Sequence, residues 1–372
     1  MAIISSLLLL MAAQVSAEPI PTEIHNFGDW VVACDNGNRC EAVSLVPEPT
    51  PAEQEAASMQ AGQPATPGAP AAQDPWERYG VLRFERDAGP DAPLVMLLSD
   101  FEGTPARLTV YDNALEARIR RAGEGEGEWW IEPANLKDFV SSLYADAPLL
   151  VQDAAGRTLS HIALDGATNA LIYMEERQGR LRTRGAVARP GPRPNSVVPA
   201  APALPVVRGT PPTRERPLAI PAARMAEARR AARCTVEDVG MNADEASTSA
   251  LGGGKTLIMM NCGSGAYNAT SLPLIAWRED RTIRIEAAPF DVSQDWGDEP
   301  PTRAGYSVTN AEYDEASMTI SSWAKGRGIG DCGVRSDFVW DGERFRLTLQ
   351  QEMSVCQGTL EMLSTWRAEV RR

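Results

Sequence analysis

The chain has 372 residues, 43% of them hydrophobic, which is enough to give two domains of ordinary size a buried core each. Its formal net charge of −14 excludes general affinity for DNA or RNA, because phosphate binding requires clustered cations. Only two histidines occur, His25 and His161, so a multi-histidine metal site is excluded. We predict no metal site, no cofactor and no nucleic-acid partner.

The amino-terminal segment MAIISSLLLLMAAQVSA is uncharged and apolar, and it ends in small residues of the kind that signal peptidase accepts. We predict that residues 1–17 are a signal peptide that is cleaved after Ala17. The segment is shorter than the about 20 apolar residues that span a bilayer of ~30 Å, so we predict an exported protein that does not span the membrane. The alternative is a buried N-terminal element of a cytosolic protein.

Six cysteines follow the predicted cleavage site and fall into three sequence-local pairs. In an exported chain they are expected to oxidise, and local pairing is the simplest connectivity. Asn36-Gly37 is a strong hairpin signal, and a three-residue loop at 36–38 sets the first two cysteines opposite each other. A zinc site is excluded because no Cys-x-x-Cys pair occurs. The predicted disulfides are Cys34–Cys40, Cys234–Cys262 and Cys332–Cys356.

Two segments of biased composition divide the chain. Residues 47–75 are rich in Pro, Ala and Gln and contain no aromatic residue, so we predict a disordered surface insertion. Residues 186–222 contain ten prolines, which predicts an extended, semi-rigid linker. This linker separates an N-terminal domain at 18–185 from a C-terminal domain at 223–372.

The linker region is also basic. From residue 185 to residue 233 there are nine arginines and only two glutamates. One interpretation is attachment to anionic lipid or polysaccharide, and the other is a solvated, self-avoiding linker.

Short apolar runs between turn residues predict strands in both domains. The predicted strands of the N-terminal domain are 30–34, 40–46, 81–84, 94–98 and 106–110. Those of the C-terminal domain are 256–260, 272–277, 282–287, 318–323, 338–340, 344–350 and 365–370. Helices are predicted at 132–140, at about 168–177 and at 222–233. The predicted fold class is mainly β with a few helices (α+β), in two β-rich domains with antiparallel sheets.

Three segments near the carboxyl terminus follow one another in a specific order: Lys325-Gly326-Arg327-Gly328-Ile329-Gly330-Asp331-Cys332-Gly333, then Val339-Trp340-Asp341-Gly342 with Phe345-Arg346-Leu347, then Cys356-Gln357-Gly358. Weaker echoes are Asp29-Trp30 with Cys34-Asp35-Asn36 and Cys40, Gln178-Gly179-Arg180 with Thr183, and Cys262 with Gly265-Ala266-Tyr267-Asn268. The order and spacing resemble the exported bacterial family known as domain-of-unknown-function family 1176. The resemblance spans nearly the whole mature chain.

The chain departs from the family's pattern at two places. Met362 and Leu363 stand near the position where the family has a further Trp, and the insertion at 47–75 is long. The resemblance implies a periplasmic or envelope protein of Gram-negative bacteria, and it implies no activity. Phe27-Gly28-Asp29-Trp30-Val31-Val32 is also similar to the invasion-associated locus B proteins, but only over the first strand.

Two arrangements that are typical of catalytic sites are incomplete. Gly252-Gly253-Gly254-Lys255-Thr256 lacks the first glycine of a phosphate loop, because Ser249 stands there, and it predicts a flexible β-turn instead. His161 has no Gly-x-Ser-x-Gly elbow to serve in a catalytic triad. We therefore predict no catalytic residue from these motifs.

The segment 325–333 is the predicted binding loop. Lys325 is one of only three lysines in the chain, and it lies beside Arg327 among four glycines whose N–H groups can cradle an anionic group. Asp331 is placed to orient the two cations. The alternative is a strand connection pinned by the Cys332–Cys356 disulfide, in which the glycines adopt positive φ and the charges face water.

The leading function hypothesis is a non-enzymatic periplasmic or secreted protein that binds an envelope protein or an anionic cell-wall component. Export, disulfides and tryptophans support it, since aromatic faces bind sugars and proteins well. The alternative is a carboxylate-dependent hydrolase of envelope glycans or peptides, in which Asp295 with Asp298 and Glu299 supplies a general acid and base. Proximity within one loop does not secure the carboxyl separation of about 5 to 10 Å that glycoside hydrolysis requires.

Overall fold

Antiparallel sheets are the main architectural element of the computed structural model, which describes residues 18–49, 79–123, 127–234, 246–293 and 305–372. The predicted fold class, mainly β with a few helices and antiparallel sheets, is confirmed. The predicted signal peptide at 1–17 and most of the predicted insertion at 47–75 lie outside the described residues. Within the described ranges, no helix is both long enough and apolar enough to cross a membrane.

The N-terminal half is built from short strands. In its described residues these are β1 (His25–Phe27), β2 (Trp30–Cys34), β3 (Cys40–Ser44), β4 (Val81–Arg86), β5 (Val95–Ser99), β6 (Arg107–Val110), β7 (Asn113–Leu115), β8 (Ala117–Arg121), β9 (Trp129–Pro133), β10 (Leu149–Gln152) and β11 (Thr158–Ile162). They form a seven-stranded sheet in the order β1-β2-β3-β4-β5-β9-β8 and a four-stranded sheet in the order β11-β10-β6-β7.

Two helices cover these sheets, α1 (Leu136–Ser142) and α2 (Ala167–Arg177). The side chain of Asn135 caps α1 by accepting hydrogen bonds from two amides of its first turn. α2 follows Gly166, which has a φ of +92° and whose missing Cβ would lie 1.6 Å from the carbonyl oxygen of Phe27. Glycine is therefore required where α2 packs against β1. The residues that α2 contributes to the core are Ala167, Ala170, Leu171 and Met174.

The C-terminal half contains longer strands. In its described residues these are β12 (Val206–Arg208), β13 (Ala246–Gly252), β14 (Lys255–Ser264), β15 (Ala269–Glu279), β16 (Thr282–Ala287), β17 (Val308–Thr309), β18 (Glu312–Asp314), β19 (Thr319–Lys325), β20 (Gly333–Trp340), β21 (Phe345–Met353), β22 (Leu363–Arg367) and β23 (Glu369–Arg371). One sheet has the order β13-β14-β15-β16 with β17 added to β15, and the other has the order β18-β19-β20-β21-β22.

The two large sheets of the C-terminal half pack face to face. Their inner faces share one buried apolar cluster, which includes Leu257, Met259, Ile275, Ile320, Phe338, Trp340, Phe345 and Leu347. The opposite face of the first sheet is covered by helix α3 (Ala222–Ala231), through the cluster that contains Met225, Ala228, Ile258, Met260 and Leu272. The first of these sheets is thus covered on both sides, by a sheet and by a helix.

Strands β2 and β3 are buried along their whole length. One face packs into the N-terminal core through Trp30, Val32 and Ala42. The other face packs against the C-terminal half, in a cluster that contains Val31, Ala33, Val43, Leu45, Val81, Cys332, Met353, Met362 and Leu363. A strand that is buried on both faces is apolar at successive positions, and the sequence WVVAC of β2 has this pattern.

The predicted hairpin at 34–40 is confirmed and serves as a contact between the halves. Cys34 pairs with Cys40, and the loop residue Asn38 adopts a φ of +57°. Asn36 donates to the carbonyl of Arg367 at 2.9 Å and accepts from its amide at 2.8 Å. The Asp35 carboxylate, which has no exposed surface, pairs with the Arg367 guanidinium. The hairpin loop therefore binds the end of β22.

A chain of ion pairs extends this contact across the neighbouring strands. Arg83 of β4 pairs with Glu361 at 2.5 Å and with Glu85 at 2.8 Å. The buried Glu41 accepts a hydrogen bond from the amide of Ser364 at 2.8 Å. Partly buried carboxylates at this interface thus have a cation or an amide as a partner, as desolvated charges require.

The Pro/Arg-rich segment 186–222 bonds to both halves. Near its start, the buried Glu175 accepts hydrogen bonds from the amides of Val187, Ala188 and Arg189. Farther along, β12 pairs in parallel with β23, and the amide of Thr210 donates to the carbonyl of Trp340 at 2.8 Å. The segment that composition predicts to be an extended linker therefore makes specific backbone contacts with both halves. The division into domains at 18–185 and 223–372 stays a prediction.

The three disulfides are the sequence-local pairs that the sequence predicts: Cys34–Cys40, Cys234–Cys262 and Cys332–Cys356. Each joins residues of one half, so the faces of the two halves are held together by the apolar cluster and its polar border and not by a disulfide.

Leu363→Ala is expected to lower the free energy of unfolding by about 2–5 kcal/mol, because it leaves a cavity in the cluster shared by the halves. Leu363 has no exposed surface, whereas the matched control Leu360 is 54% exposed, so Leu360→Ala should stay within about 0.5 kcal/mol. Denaturant unfolding measures both. Hydrogen exchange should show lower protection in β2 as well as in β22, and a loss confined to the C-terminal half would contradict the shared core.

Candidate functional site

The predicted binding loop, residues 325–333, connects β19 to β20. Lys325 and Gly333 face each other as the last pair of the ladder, and the Gly326 N–H donates to the carbonyl of Cys332 at 2.8 Å. The Gly330 N–H donates to the carbonyl of Arg327 at 3.0 Å. These two glycine amides are therefore used within the loop and are not available to a bound anion.

Two of the loop glycines are required by close packing. Gly330 has a φ of +77°, and its missing Cβ would lie 2.7 Å from a ring carbon of Trp323. Gly333 has a φ of +128°, and its Cβ would lie 2.1 Å from the carbonyl oxygen of Ala324. These glycines thus serve the strand connection, in agreement with the structural alternative for this loop.

Arg327 and Asp331 bind each other. Arg327 donates from Nε to Oδ1 of Asp331 at 2.7 Å, its Nη2 pairs with Oδ2, and the Gly358 N–H donates to Oδ2 at 2.8 Å. Burial by itself raises the pKa of the Asp331 carboxyl, but the bonds from Arg327 and Gly358 outweigh it, so this pKa lies below its ordinary value. Asp331 therefore anchors the loop to the segment after Cys356.

Asp331 also lies beside the Cys332–Cys356 disulfide, with the potential ligand atoms of the three residues within 4.8 Å of one another. The two sulfurs are bonded to each other, so neither is a thiolate that could bind a metal ion. This group is a structural anchor.

The Lys325 side chain lies over the indole ring of Trp323. Its Nζ is 4.4 Å from the ring centroid, and Cζ of Arg335, from the neighbouring strand, is 4.1 Å from the same centroid. We call these three residues the cation–indole cluster. Within the described part of the chain, neither cation has a hydrogen bond or an ion pair. Two buried N–H groups of the cluster, Nε1 of Trp323 and Nε of Arg335, also lack a hydrogen-bond acceptor there.

The strand register places the cation–indole cluster on the outer face of its sheet. Trp323 pairs directly with Arg335, and Lys325 lies two residues farther along β19. Ile320 and Phe338 lie on the opposite face, in the core between the sheets. The three cluster residues therefore project from the outer face.

A groove of about 420 Å³ runs along this outer face beside the cluster. Its volume is within the roughly 300–1,000 Å³ of small-molecule sites. The groove is lined by Asn310, Glu312, Ser321, Ser322, Trp323, Arg335, Ser336, Asp337, Leu349 and Gln351.

Two asparagines hold the predicted binding loop in place from outside. Asn268 donates to the carbonyl of Lys325 at 2.9 Å and accepts from its amide at 3.2 Å. Asn310 donates to the carbonyl of Trp323 at 2.9 Å and to Oδ1 of Asn268 at 2.8 Å. The hydroxyl of Tyr267 donates to the carbonyl of Gly326 at 3.0 Å. The Tyr267-Asn268 motif thus positions the loop.

The motifs described above lie within a segment that matches a known protein family. Residues 24–370 match the family described as a protein of unknown function, DUF1176. The chain belongs to this family, as its sequence motifs predict. It is similar to the uncharacterized protein YpfG of Escherichia coli (strain K12), with 27% identity over 347 residues that cover 89% of this chain and 88% of the relative.

Among solved structures, the crystal structure of the invasion associated protein b from Bartonella henselae matches 42% of this chain and 99% of its own chain, with 17% identity. The TM-score of that match is 0.27, which is too low to establish a shared fold.

The DUF1176 motif Gln178-Gly179-Arg180 forms a buried polar network. Gln178 donates from Nε2 to the carbonyl of Arg86 at 2.8 Å. Arg180 donates from Nε to Oε1 of Gln178 at 2.8 Å and from Nη2 to the carbonyl of Asp87 at 3.1 Å. Arg180 has no exposed surface. This motif therefore fastens the loop after β4 to the end of α2.

The other residues that the sequence analysis considered for catalysis are the glycines at 252–254, His161 and three acidic residues. The glycines at 252–254 form the turn between β13 and β14, and the amides of Gly253 and Gly254 donate to the carboxylate of Glu215 at 3.1 and 3.0 Å. His161 lies in β11, with its ring 5.9 Å from that of Tyr79. The acidic residues Asp295, Asp298 and Glu299 lie outside the described residues.

Sequence analysis predicted the loop but not its two most relevant neighbours, Trp323 and Arg335. Trp323 and Lys325 are two residues apart in β19 and so share a face, but the predicted strand ended at residue 323 and did not include Lys325. Arg335 could not be added without the register of β19 against β20.

Asp331→Asn is expected to lower the free energy of unfolding at pH 7 by about 1–3 kcal/mol, because a buried charge-assisted network is weakened. The folded-state pKa of Asp331 is below the ordinary value of about 4, so its stabilisation is present above pH 4 and is lost as the pH falls through the folded-state pKa. The variant should therefore lose less stability than the wild type below pH 4.

Denaturant unfolding between pH 7 and pH 2 measures this difference. Asp280→Asn is a suitable control, since Asp280 is exposed in the turn before β16. Parallel pH profiles of Asp331→Asn and the wild type would contradict the role of Asp331 as an ionised anchor.

Proposed function

We propose that this protein is an exported envelope protein of a Gram-negative bacterium with a non-enzymatic role, the binding of an anionic cell-wall component. The observation that carries the proposal is the cation–indole cluster of Trp323, Lys325 and Arg335 on the outer face of its sheet. The anionic group is a carboxylate or a phosphate of the ligand.

The charge balance of the chain makes these two cations unusual. With 50 acidic and 36 basic residues, acidic partners outnumber the cations. Many of the other arginines form ion pairs with acidic residues, as Arg83 does with Glu85 and Glu361. Lys325 and Arg335 instead share the indole of Trp323, which holds both cations in place and leaves the Lys325 ammonium and the Nη groups of Arg335 for an oxygen ligand.

The proposed location rests on the disulfides and on the leader segment. Three disulfides are typical of an oxidising compartment such as the periplasm. The apolar segment at 1–17 predicts export to that compartment.

Soluble peptidoglycan fragments are the probe that tests the proposal, because they are anionic components of the envelope. The double variant Lys325→Gln, Arg335→Gln is expected to bind them at least about tenfold more weakly than the wild type, since two charge-assisted contacts are lost. Isothermal titration calorimetry at low salt measures the affinity. Lys137→Gln, which removes an exposed lysine on α1, is the control and should leave the affinity unchanged.

Two outcomes would contradict the proposal. Equal affinity of the double variant and the wild type for the fragments would show that the cation–indole cluster does not bind them. Cleavage of the fragments, detected by mass spectrometry and abolished by Asp295→Asn, would establish the hydrolase alternative instead.

A further inference from the structure

The groove beside the cation–indole cluster carries opposite charges in neighbouring rows of side chains. Ser321 of β19 pairs with Glu312 of β18 on one side and with Asp337 of β20 on the other. The next outward-facing row contains Trp323 and Arg335. The two carboxylates therefore occupy one row, and the cations begin in the row beside it.

These carboxylates are unpaired in the same way as the cations. In the part of the chain that the structure describes, the carboxylates of Glu312 and Asp337 have no ion pair and accept no hydrogen bond, although the backbone carbonyl of Asp337 accepts one from the Thr348 hydroxyl at 3.1 Å. Arg335 and Asp337 lie on the same face of β20, two residues apart, without forming a salt bridge. The groove thus holds separated charges that do not neutralise one another.

The spacing of the rows limits the ligand. Two residues along a strand advance by roughly 7 Å, and neighbouring strands are about 4.8 Å apart. A ligand that pairs with both rows must carry an ammonium and an anionic group several ångströms apart. The charges of a simple α-amino acid flank a single carbon atom and are too close, whereas a side-chain amine of the lysine type reaches this distance from the carboxylate of its own residue.

We propose that the groove binds zwitterionic peptides that carry a side-chain amine and a carboxylate. The carboxylate lies against Lys325 and Arg335, and the ammonium lies between Glu312 and Asp337. This proposal rests on the proposed anion-binding function and names the ligand of the same site. Peptides of this kind are constituents of bacterial cell walls, and their polar backbone suits Ser321 and Gln351 in the groove.

The guanidinium of Arg335 favours a ligand with oxygen acceptors at this end of the groove. Its Nε is buried in the described residues, so the contacts with a ligand fall to its Nη groups. A carboxylate offers two acceptor oxygens and matches the planar guanidinium of Arg335.

The test compares the tripeptide Ala-Glu-Lys with the same tripeptide acetylated on both amines. Acetylation removes the positive charges and keeps the carboxylates. We expect the acetylated peptide to bind the wild-type protein at least tenfold more weakly in calorimetric titrations. The variant Glu312→Gln, Asp337→Asn should bind both peptides with the same, weaker affinity, whereas the control Glu286→Gln on β16 should retain the tenfold preference.

A second arm of the test uses O-phosphoethanolamine, which presents an ammonium and a phosphate at a shorter separation. It is expected to bind more weakly than the free tripeptide. Tighter binding of O-phosphoethanolamine would overturn the peptide assignment in favour of a headgroup ligand. Thermal unfolding of each variant confirms that a lost preference does not arise from misfolding.

The results separate this inference from the function on which it rests. Equal affinity of the free and acetylated tripeptides for the wild type would overturn the zwitterionic ligand and leave anion binding intact. If neither tripeptide binds, and the Lys325→Gln, Arg335→Gln variant binds peptidoglycan fragments as the wild type does, the anion-binding function itself is wrong.

Discussion

The burial of the β2–β3 hairpin on both faces is the constraint on which the rest of the structure depends. Val31, Ala33 and Val43 would be an exposed apolar face if the N-terminal half stood alone. Burial of apolar area stabilises by about 25 cal/mol per Å². Separation of the C-terminal half from this face would therefore cost free energy. The cluster itself is non-directional, and the bonds of Asp35 and Asn36 to Arg367 specify how the two halves meet.

The same constraint determines which part of the β18–β22 sheet stays uncovered and so where the proposed groove lies. Cys332 and Met353 belong to the cluster shared by the halves, so one end of the β18–β22 sheet is covered on its outer face. The segment around β12 covers another part, where Gly209 lies against Val339. The outer face stays open beside Trp323. The location of the groove therefore follows from the packing of the two halves, while its charges come from the strands that remain uncovered.

Sequence patterns correctly predicted the elements that are determined by residues close together in the chain. The Asn36-Gly37 hairpin, the three disulfides and α2 (Ala167–Arg177) all depend on residues close in sequence. β13 (Ala246–Gly252) was missed because its small polar residues lack an apolar alternation, and it forms by pairing with β14. The contacts of the proline-rich segment were missed because they use backbone groups, such as the Thr210 amide, whose partners composition does not reveal.

The charged residues of the candidate site show the same limit of prediction from sequence. Composition counts cations and carboxylates, but which of them pair is a property of the folded chain. Arg327 and Asp331 are four residues apart in a tight loop, so their pairing is a local event. Glu312, Arg335 and Asp337 come from two strands, and their proximity without pairing required the register. Because an ion pair at a half-exposed site contributes at most about 1 kcal/mol, the fold loses little stability by leaving these groups unpaired, and they are available to the proposed ligand of complementary charge.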